Sequence, residues 1–400
     1  MKYIIILGDG MADYPMERLG NKTPLQAANI PNIDKLAKMG RTGRLITVPA
    51  DMPPGSEIAN MAVLGYDVKK VYQGRGVLEA ASMGVELDET DLAMRCNIIC
   101  IENGIIKNHS AGHISNEEAY ELLVALKKEL DSDIITFHPG VSYRHLLVVK
   151  NGVNDFSCTP PHDVPGTPSL DVMVKANNSA SATGDLLNEL ILKSQEILSK
   201  HPINLKRIAE GKDPANSIWP WSPGNKPEMK TLQELYGKTG AVISAVDLLY
   251  GIGAYAGMKA IKVPGSTGLY DTNYEGKAET ALKALEEVDL VYLHIEASDE
   301  AGHEGNAELK TKTIEYLDNR VVKFLMEETA KMEEDVALAV IPDHPTPCDL
   351  RTHTHDSVPF IIYHPGVEGD SVKEYNEESV KKGFYGELKG DEFIKALFSK

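Results

Sequence analysis

The sequence predicts an α/β fold: a mainly parallel sheet flanked by helices, with a smaller α+β domain inserted into it. Three observations carry this expectation. Apolar runs without alternation at 3–7, 290–295 and 336–341 have the pattern of parallel strands buried on both faces. Residues 24–40 space their apolar side chains helically, with Leu25, Ala28, Ile33, Leu36 and Ala37 on one face. Between about 92 and 176 the pattern changes to short strands around one amphipathic helix. The expected division is 1–91 and 177–400 as the core, with 92–176 as an inserted cap.

Composition bounds the function. The chain has 400 residues and a hydrophobic content of 42%, enough for a large α/β core plus an insertion. Its net charge of −18 argues against nucleic acid and anionic membrane as partners. No run of about 20 apolar residues occurs. Met1–Leu7 is too short for a signal peptide. Cys96, Cys100, Cys158 and Cys348 are too scattered for a disulfide framework or a zinc ribbon. The expectation is a soluble cytoplasmic protein.

The first strand, 3–7, runs into Gly8-Asp9-Gly10. An acidic residue at the end of a buried strand is costly unless paired or metal-bound. Gly43–Pro49 reads as a second strand. It leads into Pro53-Pro54-Gly55-Ser56, a turn that delivers Ser56 to the start of a helix through Ile58, Met61, Ala62 and Leu64. Helix N-termini favour anions such as phosphate. Arg75, between two glycines, is placed to hold a phosphate or a nearby carboxylate. Leu92–Ile101 and Ile105–Lys107 form a predicted hairpin, and Ser115–Leu130 a helix with a Ser-Asn-Glu-Glu start. Ile134–Pro139 and Tyr143–Val149 are further strands, and Asp155–Pro168 is a loop. This block carries His109, His113, His138, Arg144, His145 and His162, a set suited to gripping an anionic substrate. Thr183–Ser199 is a predicted helix returning to the core, and Ala215–Trp221 a short strand. Thr231–Gly237, Ser244–Gly251 and 276–287 are helical, Lys259–Val263 is a strand, and Val358–Tyr363 is the last strand.

The chemistry lies at strand ends. Asp299 and His303 stand four apart after strand 290–295, so on a helical turn they share a face. Asp343 and His344 follow strand 336–341, and His353 and His355 come shortly after. Carboxylate with imidazole suits a divalent transition metal. Asp9, Asp299 with His303, and Asp343 with His344 all follow the carboxyl ends of apolar strands, where an open parallel sheet places its site. Together with Ser56 they supply enough ligands for two metals.

These residues resemble the alkaline phosphatase superfamily, and within it the archaeal-type branch of the cofactor-independent phosphoglycerate mutases. Gly8-Asp9-Gly10, Pro54-Gly55-Ser56, Ala62–Asp67, Gly74–Ala80, Ser110-Ala111-Gly112, Asp299–His303 and Asp343-His344 carry the resemblance in the family's order over nearly the whole chain. It implies an alkaline phosphatase-like core and two divalent metal ions, with Mn, Zn, Mg and Co all admissible and no 2,3-bisphosphoglycerate needed. It implies one ion on Asp9, Ser56, Asp343 and His344, and a second on Asp299, His303 and His353, with His355 as the alternative to His353. Ser56 would be the nucleophile that becomes phosphoserine while 2- and 3-phosphoglycerate interconvert. His109, His113, Arg144 and Arg75 would bind this small phosphorylated substrate, and a homo-oligomer is compatible with the family. Two departures stand out. His113 occupies a position where the branch usually has arginine, and Trp219-Pro220-Trp221-Ser222 replaces an arginine-bearing turn. Both changes resemble a subgroup proposed to act as homoserine kinases with the same metal-serine site.

Overall fold

A computed structural model describes residues 1–399. The chain divides into two compact units, one made of Met1–Tyr72 with the chain from Glu228 onward, the other of Gln73–Pro227.

The first unit is built on one sheet of eight strands. They are β1 (Lys2–Gly8), β2 (Arg41–Ile46), β3 (Gly240–Ile243), β4 (Lys259–Ile261), β5 (Leu290–Ile295), β6 (Val336–Ile341), β7 (Val358–Tyr363) and β8 (Gly386–Lys389). Their order across the sheet is β4-β3-β5-β1-β6-β7-β2-β8. The sheet is mainly parallel, as expected. The exception is β7, antiparallel to both β6 and β2. The apolar runs at 3–7, 290–295 and 336–341 are the three central strands, buried on both faces. Their side chains pack with Ile33, Leu36, Tyr274, Ala278, Ala281, Ile314, Val321 and Leu325 of the flanking helices.

The predicted helix 24–40 is divided at Pro31 into Pro24–Ala27 and Pro31–Met39. Proline has no N–H to donate, and here it starts the second helix. The free amides of that start are capped across the fold. Asp318, on a π-helical turn at Leu317–Val322, accepts the N–H groups of Asn32 and Ile33 at 2.9 and 2.7 Å.

The second unit has an antiparallel sheet centred on the strand Leu92–Glu102. That strand pairs with Ile105–Asn108, Arg144–Val149 and Ser217–Asn225, and Ile135–His138 extends the sheet beyond Arg144–Val149. Helix Asn116–Leu130 begins as expected, with Ser115 accepting the N–H of Glu118. The unit is larger than the cap expected at 92–176. Helix Ser181–Leu198 does not return to the core. Its Leu187, Leu190 and Ile191 pack against Cys96, Ile98, Leu122 and Leu126 of this unit. Strand Ser217–Asn225 stays here too, because it hydrogen-bonds along Leu92–Glu102. The helix Arg75–Ser82 at the other end also belongs to this unit.

His145 tests the packing of this second unit. It is buried on the strand Arg144–Val149, its Nδ1 accepts the N–H of Gly140 at 3.0 Å, and its Nε2 has no partner. Burial lowers its pKa to about 4. A histidine with a depressed folded pKa binds fewer protons folded than unfolded between pH 6.5 and 4. Its contribution is therefore complete above pH 6.5 and is lost as pH falls, by at most about 3 kcal/mol. His145→Gln should flatten the pH dependence of urea stability across that window. An unchanged slope would exclude His145 as its source.

Candidate metal centre

The centre lies at the carboxyl ends of β1, β5 and β6, and sheet register assembles it. Leu7 stands opposite Ile341, and Gly8 opposite Ile295. Two residues on from the first pair come Asp9 and Asp343. One residue on from the second comes Glu296, where the chain turns into helix Ala297–His303 with Asp299 on its first turn. Gly10 completes the turn at φ +62, and a Cβ there would stand 2.7 Å from Asp299 Oδ1. No side chain fits that position without displacing Asp299.

Ser56 is the first residue of helix Ser56–Val63, and its side chain makes no capping bond to that helix. Instead its Oγ lies 3.0 Å from His344 Nε2. Asn60, one turn along, donates to the Ser56 carbonyl and to Asp343 Oδ2, both at 2.8 Å, and accepts from Tyr292 at 2.6 Å. Asp9, Asp343 and His344 form one group whose potential ligand atoms lie within 4.8 Å of one another. Asp299, His344 and His353 form a second. His303 Nε2 is 3.2 Å from Asp299 Oδ2 and 2.9 Å from His353 Nε2. His353 Nε2 is 3.5 Å from Asp299 Oδ1. His355 faces elsewhere, its Nε2 2.8 Å from the Met52 carbonyl.

Hydrogen bonds set which ring nitrogens carry lone pairs. His303 Nδ1 lies 3.0 Å from the Arg351 carbonyl, which can only accept, so Nδ1 carries the proton and Nε2 faces the centre. The Thr346 hydroxyl donates to Asp299 Oδ1. It therefore accepts from His344 Nδ1 at 3.2 Å, leaving His344 Nε2 facing Ser56. An outer hydrogen bond that fixes the ring in this way is the usual support of a metal-binding histidine.

The electrostatics fit a cation. Burial, then the charges of Asp343, Glu296 and Asp299, push Asp9 well above the ordinary carboxylate range. Its Oδ1 is buried without a hydrogen-bond partner. Asp299 is driven up by burial, but hydrogen bonds with His303 and His353 hold it well below its usual value. The same contact with Asp299 raises His303 to about 9. Burial, and then Asp299, raise Glu296 to about 8. Positive charge is favoured where these lone pairs converge.

The second unit gathers the remaining candidates. His109, His113 and Arg144 surround Tyr143, at ring separations of 5.5 and 6.4 Å for the histidines and 4.6 Å for the guanidinium. Arg75 opens the helix Arg75–Ser82, with its Nε buried and without a hydrogen-bond partner. Arg95, absent from the expected set, lies 4.2 Å over the Trp221 ring. Its pKa is lowered by burial and, after the opposing pull of Glu79, by Arg75 and Arg144. The departures at 219–222 have structural consequences. Trp219 is in the unit's core and donates to the Thr159 carbonyl. Trp221 donates to Asn97 and provides the face for Arg95.

Sequence reading alone misses Asn60, Tyr292, His294 and Thr346. The signal for two of them is present in β5, where Tyr292 and His294 put polar atoms on one face of an otherwise apolar strand.

Fold and centre together define an α/β enzyme built around a candidate metal site. The chain belongs to the family of 2,3-bisphosphoglycerate-independent phosphoglycerate mutases. Residues 37–204 match the profile of the family described by that name. A Methanosarcina acetivorans protein so named is 51% identical over 399 residues, covering 99% of both chains. A Geobacter sulfurreducens protein named as a probable member is 49% identical over 388 residues, covering 95% of each. Among solved structures, a Pyrococcus horikoshii protein superposes with a TM-score of 0.83 at 30% identity, covering 99% of this chain and 96% of its own. The cofactor-independent phosphoglycerate mutase of Thermoplasma acidophilum superposes with a TM-score of 0.72 at 28% identity, covering 99% of both. Among the described residues, no helix is long and apolar enough to cross a membrane.

Proposed function

We propose that the protein interconverts 2-phosphoglycerate and 3-phosphoglycerate through a phosphoserine at Ser56, with two divalent cations as cofactors. Asp9, Ser56, Asp343 and His344 would hold one ion, and Asp299, His303 and His353 the other. The observation that carries this reading is Ser56. It is a hydroxyl at a helix start, free of capping duty, 3.0 Å from Nε2 of His344, the histidine common to the Asp9–Asp343 and Asp299–His353 groups.

Bound cations would supply the charge that acidifies the serine hydroxyl and neutralises the phosphoryl oxygens. The chain does the rest. Ser56 Oγ forms the new P–O bond as the substrate's own P–O bond breaks, and the released glycerate oxygen takes up the proton that Ser56 gives up. The N-terminus of helix Ser56–Val63 favours the anion beside it. Asn60 fixes the Ser56 carbonyl and Asp343 together. Arg75, Arg95, Arg144, His109 and His113 would bind carboxylate and phosphate, with arginine suited to two-point contacts. Glycerate then turns and accepts the phosphoryl group on its other hydroxyl.

A homoserine kinase-like phosphotransferase is the second reading. It is favoured by His113 and by the Trp219-Pro220-Trp221-Ser222 turn, which differ from the arginine and the arginine-bearing turn that the resembled branch usually carries. Mn²⁺-loaded protein in an enolase-coupled assay distinguishes the two. Turnover of 3-phosphoglycerate, with no ATP-dependent phosphorylation of homoserine, is expected. The opposite pattern would transfer the same serine site to the kinase reading.

A further inference from the structure

Beneath the centre, on the side of the sheet strands, lies a buried polar chain that the proposed reaction does not use. His294 on β5 is fully buried, and Ser244, just past β3, is nearly so. His294 Nε2 stands 2.8 Å from Asp9 Oδ2 and 3.5 Å from Glu296 Oε2. His294 Nδ1 stands 3.1 Å from Ser244 Oγ. Ser244 Oγ in turn accepts the N–H of Val246 at 3.0 Å. Lys277 Nζ holds the His294 carbonyl at 3.2 Å.

Proton placement follows from donors and acceptors. The hydrogen-bond partner of Nε2 is Asp9 Oδ2, and a cation held by Asp9 would keep that carboxylate ionised and acceptor-only, so the hydrogen belongs on Nε2. The Ser244 oxygen is already accepting, and its own hydrogen goes to Nδ1. The chain therefore runs one way, from Ser244 O–H to His294 Nδ1 and from His294 Nε2–H to Asp9 Oδ2. That bond fixes the plane of the Asp9 carboxylate. It leaves Asp9 Oδ1, the oxygen without a hydrogen-bond partner, facing His344 Nε2 at 3.7 Å.

We propose that Ser244 and His294 are positioning residues that set the orientation of Asp9 and thereby the affinity of the centre for its cation. Neither touches the reacting atoms. The inference rests on the reading of Asp9 as a metal ligand. It goes beyond that reading by assigning a function to two residues outside the ligand set.

The test measures Mn²⁺ affinity by calorimetric titration of metal-stripped protein, for the unaltered chain and for Asp9→Asn, His294→Leu, His294→Gln and Ser244→Ala. Outer-shell partners of metal ligands typically contribute about 10–100-fold in affinity. His294→Leu should weaken Mn²⁺ binding by roughly that factor. His294→Gln, which keeps an N–H donor, should recover part of the loss, and Ser244→Ala should weaken binding by less than His294→Leu. Nitrogen-resolved histidine NMR of the unaltered protein loaded with diamagnetic Mg²⁺ should find His294 protonated at Nε2, a readout that does not depend on any variant folding. A proton on Nδ1 instead overturns the proposal. So does unchanged Mn²⁺ affinity in His294→Leu while Asp9→Asn is impaired, and this leaves the ligand reading intact. Unchanged affinity in Asp9→Asn overturns the ligand reading and the proposal with it.

Discussion

Replacing Ser56 by alanine should abolish phosphoglycerate turnover, by roughly 10⁴-fold or more, on the scale of losing a covalent nucleophile. The fold should not notice. The Ser56 side chain makes no capping bond, since Gly55 occupies the N-cap position, and its hydroxyl touches His344. Alanine in the first turn of a helix costs little, so thermal stability should stay within about 0.5 kcal/mol. The coupled assay and a melting curve on the same sample check both halves. Retained turnover would remove Ser56 as nucleophile. Lost turnover with a collapsed melting curve would show that the serine holds structure, contrary to its contacts.

Lys310→Met should be the most destabilising single change in the first unit outside the apolar core. Lys310 is fully buried on helix Ala307–Tyr316. Its ammonium donates to Asp13 Oδ2 at 2.9 Å and to the carbonyls of Ala12 and Thr346 at 3.1 and 2.8 Å. Asp13 Oδ2 also accepts the N–H of Cys348. One cation thus ties the loop after β1 to the loop after β6, the two loops that carry Asp9 and Asp343. Removing it strands a buried carboxylate, which typically costs about 3–5 kcal/mol. Urea denaturation should register that loss. A change below about 1 kcal/mol would mean that the pair does no better than a surface ion pair.

Much of this centre is legible in the sequence, for a physical reason. A strand buried on both faces cannot alternate, so β1, β5 and β6 appear as apolar runs. Aspartates at their ends are conspicuous because nothing else in such a run is charged. The spacing from Asp299 to His303 is visible because both lie on one helical turn. What the sequence hides is support that comes from a distance. Asn60 looks like an ordinary helix residue until Tyr292 and Asp343 are found on either side of it. His294 lies in a strand that otherwise reads as core, and its meaning depends on Ser244, fifty residues earlier. The larger second unit is hidden for a similar reason. Helix Ser181–Leu198 is amphipathic whichever core it covers, and only its partners decide. Strand β3 is four residues long between two helices, too short for its pattern to stand out.

The interrupted course of the first unit sets an order of assembly during synthesis. Residues 73–227 leave the ribosome as one unbroken segment and have their whole sheet and core in hand when they emerge. β1, made before that segment, has no such company. Its neighbours on both sides are β5 and β6, translated in the last third of the chain. At about 5–20 residues per second, Ser56 waits tens of seconds for His344, its partner 288 residues away. β1 is therefore enclosed only long after it is made, and β2, whose neighbours are β7 and β8, later still; the centre exists only once His353 has been made.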